Sequence, residues 1–280
     1  MSPDPRLRMS TTGNGSRQSV SNAEPVTAIY APFSLTGQTA LITGGGTGLG
    51  LGIARAFVAA GARVAIVGRR SEVLEHAAAE LGDQATWEAQ DINRHDELPS
   101  LVGRIEERLG PLSILVNNAG IHRKKLAVDT SVNEFAEVIE TNLISAFALV
   151  QAALPGMIER ADGNVLFIAS MASLIGIPQV AAYSAAKAGH LGLVRSLAAE
   201  VSPHGVRVNA VAPGWIESDM LRRAMQGDPA RADKVLGRTP LNRFGNAQDI
   251  GWAATYLCSP AARFVTGVVL PVDGGASIGF

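Results

Sequence analysis

The chain has 280 residues, 47% of them hydrophobic and 18% charged, a composition typical of a globular protein with a well-buried core. Its 24 Lys and Arg balance 25 Asp and Glu to a net charge of -1, which excludes the broad basic field of a nucleic-acid-binding protein. A single cysteine, Cys258, excludes an internal disulfide and a multi-cysteine metal site, and it suits a reducing, cytoplasmic compartment.

Residues 1–32 lack apolar periodicity and the hydrophobic core of a secretory signal, and they predict a mobile N-terminal tail. From residue 39 onward, short β-branched runs alternate with longer Ala- and Leu-rich segments, as parallel strands do with crossover helices. The predicted strands are 39–43, 63–67, 86–89, 114–117, 164–169, 207–211 and 267–272. The predicted helices are 48–60, 72–81, 94–109, 133–153, 182–202 and 247–258.

No composition break or internal repeat divides residues 33–280, so we predict one α/β domain. It is a doubly wound Rossmann fold with a seven-stranded parallel sheet and helices on both faces. Residues 216–238 are charged and broken by Gly227-Asp228-Pro229 just after a strand, and they predict a substrate lid. The apolar runs are too short to span a bilayer and the histidines lack ligand spacing, so neither a membrane nor a metal is expected.

A glycine-rich loop follows the first strand and opens the first helix. Its spacing is Thr-Gly-x-x-x-Gly-x-Gly, with the cofactor-binding candidates Thr43, Gly44, Gly46, Thr47, Gly48, Leu49 and Gly50. Glycines here permit a tight turn and a close approach of the backbone to a pyrophosphate, whose charge faces the N–H groups of the helix start. The alternative is a loop that only turns the chain.

Two arginines follow the second strand, where a carboxylate would bind the ribose of NAD. Arg69 and Arg70 stand at a helix start, where a cation opposes the macrodipole, and this favours a functional interpretation. The guanidinium of Arg69 is suited to a 2'-phosphate. We therefore predict a nicotinamide cofactor, with NADP preferred over NAD.

Tyr183 and Lys187 are spaced Tyr-x-x-x-Lys in a predicted helix, and Ser170 lies thirteen residues before Tyr183. Positions i and i+4 share a helix face, so the ammonium lies beside the phenol and favours its ionised form. A free tyrosine titrates at about 10, and a lower pKa would let it act as acid and base near neutral pH. Alone, the spacing also fits a solvated helix face.

Together with Asn117-Asn118-Ala119-Gly120 and Pro213-Gly214, these patches resemble the short-chain dehydrogenase/reductase family over about residues 33–280. The resemblance implies that Tyr183 is the catalytic acid/base, that Lys187 lowers its pKa and binds the nicotinamide ribose, and that Ser170 hydrogen-bonds the substrate carbonyl. Asn142 matches the helix asparagine that supports a water and proton relay to the lysine. Further implied cofactor contacts are Asp91, Ile92, Asn118, Ala119, Gly120, Tyr183, Lys187, Pro213, Gly214, Ile216 and Ser218.

Some of these residues also have ordinary structural interpretations. Asp91 could be a helix N-cap, Asn142 a mid-helix polar residue and Ser170 a strand-end cap. At Ser218 the family pattern has Thr, and the hydroxyl is kept. These alternatives stay open at the level of the sequence.

The resemblance implies an oxidoreductase that transfers a hydride between a nicotinamide cofactor and a secondary alcohol or ketone. Residues 33–37, 121–125 and 268–275 resemble gluconate 5-dehydrogenase and 2-dehydro-3-deoxygluconate dehydrogenase members, which implies a sugar acid or sugar as substrate and a role in carbohydrate metabolism. His122, Arg123 and Lys124 either clamp a substrate carboxylate or form a solvated charge run. The alternative functions are a 3-oxoacyl-carrier-protein reductase and a catalytically idle dinucleotide-binding regulatory module.

The predicted helices 133–153 and 182–202 carry apolar and small residues on more than one face. A face that the sheet does not need suggests a subunit contact. The family resemblance implies a homotetramer.

Overall fold

The computed structural model describes residues 30–217 and 229–279, and residues 32–280 form one compact unit. The predicted tail lies outside the described residues up to residue 29. The same holds for residues 218–228 of the predicted lid, including Ser218.

Seven strands form a single sheet. They are β1 (Thr39–Thr43), β2 (Arg63–Gly68), β3 (Ala85–Ala89), β4 (Ile114–Asn117), β5 (Gly163–Ile168), β6 (Val206–Pro213) and β7 (Val269–Val272). Their order is β3-β2-β1-β4-β5-β6-β7, and every neighbouring pair is parallel. The strand order reverses between β1 and β4, and this is the place where open α/β sheets bind ligands, beyond the carboxyl ends of the strands. The predicted fold class is confirmed.

Eight α-helices accompany the strands in the described residues. They are α1 (Gly48–Ala59), α2 (Ser71–Leu81), α3 (Leu98–Leu109), α4 (Val132–Ile139), α5 (Ser145–Arg160), α6 (Ala181–Val201), α7 (Pro229–Gly237) and α8 (Ala247–Cys258). A π-helical segment, Glu140–Ile144, joins α4 to α5 without a break. Helix α7 was not predicted, since its residues were assigned to the lid.

Each face of the sheet has its own apolar core. Leu41 of β1 packs in one cluster with helices α3, α5 and α6, whereas its neighbour Ile42 packs in the other with α1, α2 and α8. Successive side chains of a strand point to opposite faces, so a strand covered on both sides is apolar throughout. All five residues of β1 are buried. The prediction of helices on both faces is confirmed.

Two boundaries differ from the prediction for visible reasons. Strand β7 starts at Val269 rather than at residue 267, because Gly267 has a φ of 76°, outside the range of a strand. Helix α5 passes through Pro155 and ends at Arg160, seven residues beyond the predicted end at residue 153. The turn after Pro155 is held by Met157, which is fully buried in the core.

The continuous helical stretch Val132–Arg160 is long and apolar enough, by length and composition, to cross a membrane, with a mean hydropathy of 1.4. The expectation that every apolar stretch is too short was therefore wrong for this one. Its inner residues Leu149, Val150 and Met157 are buried against the sheet. Packing in a core explains its apolar inner face without a membrane.

Candidate active site

The glycine loop closes tightly on the first two strands. Gly44 has a φ of 65°, a conformation that favours glycine, and its N–H donates to the Val67 carbonyl at 2.7 Å. A Cβ on Gly50 would overlap the Gly44 carbonyl, so α1 can pack against the loop only with glycine there. Thr47, the N-cap of α1, makes no side-chain capping hydrogen bond. The first N–H groups of α1 are therefore suited to a pyrophosphate.

Thr43 has a structural task within this loop. Its hydroxyl accepts hydrogen bonds from the N–H groups of Asn118 and Ala119, both at 3.0 Å, and donates to the Val116 carbonyl at 3.3 Å. The residue is only 1% exposed. Thr43 thus ties the ends of β1 and β4 together through its hydroxyl, and its role as a direct cofactor contact stays a prediction.

Arg69 and Arg70 are exposed immediately after β2. Arg70 is the N-cap residue of α2 and contributes no side-chain cap. Within the described residues, neither guanidinium forms an ion pair with a carboxylate. Because the Gly44 N–H binds Val67 at the end of the same strand, the two cations lie near the glycine loop, where a 2'-phosphate would need them.

Asp91 lies in the loop after β3 and does not cap a helix. Its Oδ1 accepts a hydrogen bond from the Asn93 N–H at 3.1 Å, within a local turn. The next helical turn, His95–Glu97, has Arg94 as its N-cap residue. The N-cap alternative is excluded, and the following Ile92 is buried.

Tyr183 and Lys187 share one face of α6, as predicted from their spacing. The ammonium lies 5.8 Å from the centroid of the Tyr183 ring, and it donates to the Ile168 carbonyl at 2.6 Å. Ser170 follows β5, and its side chain accepts from the Ala172 N–H at 3.1 Å. Helix α6 and the end of β5 thus bring the three predicted catalytic side chains to the carboxyl edge of the sheet.

Lys187 is buried and Tyr183 is half-buried, and this loss of solvent moves each group toward its neutral form. Burial raises the pKa of the Tyr183 phenol, and a hydrogen bond with Ser170 partly opposes that rise. Burial lowers the pKa of Lys187 to about 7. The predicted lowering of the tyrosine pKa by Lys187 is thus not seen, because the ammonium is directed at a carbonyl and is itself desolvated.

Asn142 is fully buried in the π-helical segment. Its Oδ1 accepts from the Ile121 N–H at 2.7 Å, and its Nδ2 donates to the Ile121 carbonyl at 2.8 Å. A Cβ on Gly120 would overlap Asn142 Oδ1. The asparagine therefore fixes the start of the loop that follows β4.

The cations of that loop are mostly paired. Arg123 binds Glu137 at 2.6 Å and Lys125 binds Glu134 at 2.7 Å, both on α4. Arg123 is thus paired with an acid fourteen residues further along the chain, and its part in a carboxylate clamp stays a prediction. Lys124 has no carboxylate partner among the residues that the structure describes.

His122 lies edge-on to Tyr183, with ring centroids 5.3 Å apart. Partial burial and the neighbouring Lys124 ammonium lower the pKa of His122. The imidazole of His122 therefore borders the phenol of Tyr183.

The turn after β6 lies beside the end of β7. The Gly214 N–H donates to the Val272 carbonyl at 3.0 Å, and a Cβ on Gly214 would meet Asp273 at 2.6 Å. Ile216 forms a bridge with Gly245. Pro213 and Gly214 are thus held at the same edge of the sheet as Tyr183.

His190 also lies in this region, although its residue type and position in the sequence did not predict a functional role. The ring is 1% exposed, and its Nε2 lies 2.7 Å from the Asn142 carbonyl oxygen. The available signal was its spacing, three residues after Lys187 on the same helix.

Comparison with known proteins agrees with this geometry. Residues 44–277 match the family model adh_short_C2, described as enoyl-(acyl carrier protein) reductase. The inactive 2-(S)-hydroxypropyl-CoM dehydrogenase 2 of Xanthobacter autotrophicus is 41% identical over 80% of this chain and 98% of its own length. The 3-oxoacyl-(acyl-carrier-protein) reductase FabG of Vibrio cholerae is 36% identical over 87% of this chain and 98% of its own.

Among solved structures, the fold is similar to a gluconate 5-dehydrogenase from Burkholderia cenocepacia in complex with NADP and tartrate. The TM-score is 0.86 at 34% identity, and the match covers 90% of this chain and all of the other. The glycine loop, the Tyr183 and Lys187 face and these matches lead to one conclusion. This chain belongs to the short-chain dehydrogenase/reductase family of oxidoreductases.

Proposed function

We propose that this protein catalyses NADP-dependent hydride transfer between a secondary hydroxyl and the corresponding ketone of a sugar acid, as a gluconate 5-dehydrogenase does. The observation that carries the proposal is the meeting of Tyr183, Lys187 and Ser170 beside the glycine loop. A bound nicotinamide dinucleotide supplies or accepts the hydride. The protein's own side chains handle the proton and the substrate oxygen.

Tyr183 is the group that exchanges this proton. In reduction its hydroxyl protonates the carbonyl oxygen of the substrate, while the Ser170 hydroxyl donates a hydrogen bond to that oxygen. In oxidation the phenolate takes the proton of the substrate hydroxyl. A raised pKa keeps the phenol protonated, which suits reduction.

Lys187 is suited to pass protons, because its pKa of about 7 lets it gain or lose one near neutral pH. Asn142 acts by holding the backbone of Ile121, and with it the loop that carries His122. We assign these two roles from the contacts of each side chain and from the protons it can donate or accept.

Replacing Tyr183 with phenylalanine tests the assignment. We expect kcat to fall by about 100-fold or more, while NADPH binding measured by fluorescence stays within about twofold, because only the proton donor is lost. Tyr256→Phe, outside the site, is the matched control. Near-normal turnover by Tyr183→Phe would refute the mechanism.

The cofactor preference rests on Arg69. Its exposed guanidinium after β2 has no carboxylate partner in the described part of the chain, and the similar structure of the Burkholderia enzyme holds NADP. Arg69→Ala should lower kcat/KM for NADP by about tenfold and leave that for NAD unchanged, since a charge-assisted phosphate contact is lost. Arg263→Ala is the control. Equal losses with both dinucleotides would contradict a 2'-phosphate contact.

The sugar-acid preference rests on Lys124 and His122 at the rim of the site. Lys124 is the cation of this loop that no described carboxylate neutralises, whereas Arg123 is held by Glu137. Lys124→Met should lower kcat/KM for gluconate by about tenfold and leave a neutral sugar alcohol unaffected. Arg123→Met is the matched control with a smaller effect. An equal loss of kcat/KM with gluconate and with the neutral sugar alcohol would contradict a carboxylate clamp.

Two alternatives are supported by particular matches. The Vibrio reductase supports a ketone carried on an acyl thioester, and the inactive Xanthobacter relative supports a protein without turnover. One screen separates them, with hexonates, keto-hexonates, simple sugars and a 3-oxoacyl thioester, each with both nicotinamides. Reduction of the thioester alone would favour a ketoreductase that acts on acyl thioesters. Cofactor binding without any turnover would favour a protein that lacks catalytic activity.

We further propose a cytoplasmic homotetramer acting in carbohydrate metabolism. The outer face of the helical stretch Val132–Arg160 exposes Val132, Phe135, Ile144 and Phe147, which are 82%, 39%, 44% and 42% exposed. Apolar side chains of this size on one face suit a subunit contact. Light scattering at micromolar concentration tests it, and a monomer would contradict it.

A further inference from the structure

His190 is a buried histidine for which the proposed chemistry has no role. It lies on α6 three residues after Lys187 and seven after Tyr183, so all three project from one side of the helix. The side chain is 1% exposed and packs against Phe167, with ring centroids 5.1 Å apart. Among the described residues its Nδ1 has no hydrogen-bond partner, so the ring is held through Nε2.

The partner of His190 is the main-chain carbonyl of Asn142, 2.7 Å from Nε2. That carbonyl belongs to the π-helical segment, where the regular hydrogen-bond ladder of the helix is interrupted. Since a carbonyl only accepts, Nε2 must carry the proton. Burial, followed by the Lys187 ammonium, lowers the pKa of His190 to about 3, so the ring is neutral and this tautomer persists at working pH.

This contact is the first of a chain that reaches the reacting groups. The side chain of Asn142 holds both backbone groups of Ile121. The next residue, His122, lies against the ring of Tyr183. On the other side, Lys187 binds the carbonyl of Ile168. His190 therefore connects α6, which carries Tyr183 and Lys187, to the π-helical segment. Through that segment it connects to the loop after β4, residues 121–125, which we call the substrate loop.

We propose that His190 is a positioning residue for hydride transfer: its Nε2–H holds the Asn142 carbonyl and so keeps the substrate loop in register with Tyr183 and Lys187. The proposal rests on the proposed catalytic roles of those two residues. It adds a group that acts through Asn142 and touches neither substrate nor cofactor.

Two variants separate positioning from simple support of the fold. His190→Leu removes both ring nitrogens and keeps an apolar side chain, whereas His190→Gln keeps an N–H donor. With gluconate and NADP, we expect kcat of the leucine variant to fall by about tenfold with KM within about twofold, and the glutamine variant to recover most of it. His204→Leu, at an exposed histidine beyond the end of α6, is the control. All rates are measured well below the unfolding temperature of each variant.

A second measurement does not depend on turnover. The Ile121 amide donates to Asn142 Oδ1, so its hydrogen exchange reports whether Asn142 is held. We expect exchange about tenfold faster in His190→Leu, and near the wild-type rate in His190→Gln and His204→Leu. If wild-type protein fails to oxidise gluconate, the proposed substrate is wrong, and the exchange result still decides the role of His190. Unchanged Ile121 exchange in His190→Leu, or unchanged kcat where gluconate is a substrate, would overturn the inference.

Discussion

Lys187 gives the most direct test of the electrostatics of this site. Its side chain is 3% exposed, and burial lowers its pKa from 10.5 to about 7. The difference, 10.5 minus 7, is 3.5 units, and at about 1.36 kcal/mol per unit the buried ammonium destabilises the fold by up to about 5 kcal/mol. Lys187→Met removes that charge and keeps a long side chain.

The pH dependence of this effect has a definite sign. Between pH 7 and 10.5 the unfolded chain keeps the proton on Lys187 while the folded protein has lost it, so the stability of the wild type rises with pH. Below about pH 7 the buried Lys187 ammonium destabilises the fold to the full extent. Above 10.5, the pKa of the lysine in the unfolded chain, this destabilisation has disappeared. The stability advantage of Lys187→Met is therefore largest at neutral pH and shrinks toward pH 10.5.

Urea unfolding of both proteins from pH 6 to pH 10, without added dinucleotide, measures the difference. At its steepest, the difference in free energy of unfolding between the two proteins should change by about 1.4 kcal/mol per pH unit. Loss of the hydrogen bond to Ile168 adds a constant offset of about 1 to 3 kcal/mol, which does not alter the slope. Lys124→Met controls for the loss of a positive charge. A difference that stays flat across this range would refute the reasoning.

Three further predictions concern packing and capping. Gly120→Ala should lower kcat/KM by about tenfold, because the added methyl meets the Asn142 side chain, and an unchanged value would show that the loop shifts freely. Ser131→Ala should lower the free energy of unfolding by about 1 kcal/mol by removing the capping box with Glu134, with kcat as the control that should not change. Phe57→Ala should cost about 3 to 5 kcal/mol in urea unfolding, since this ring is fully buried, and a cost under about 1 kcal/mol would contradict the packing.

The sequence was informative wherever the signal is local. The strands β1, β2 and β4 lie within a residue or so of their predicted bounds, because runs covered on both faces are apolar along most of their length. The spacing of Tyr183 and Lys187 placed both on one side of α6, since that spacing follows from the helix itself. The glycine loop was located by the same reasoning.

The sequence was uninformative wherever a feature depends on a residue that is distant in the chain. Nothing near Arg123 shows that Glu137 neutralises it, and nothing near Pro155 shows that burial of Met157 carries α5 past the proline. The π-helical segment has no clear local signature either, and it is this segment that presents the Asn142 carbonyl to His190.

The order of residues alone therefore determined the doubly wound sheet, the dinucleotide loop and the tyrosine–lysine pair, because each depends on periodicity or spacing within one element. Only the tertiary structure decided which charges are paired and which polar groups are buried. It also set the direction in which the pKa values of Tyr183 and Lys187 move. Those properties depend on solvent exclusion and on neighbours from other elements, and residue order does not specify either one locally.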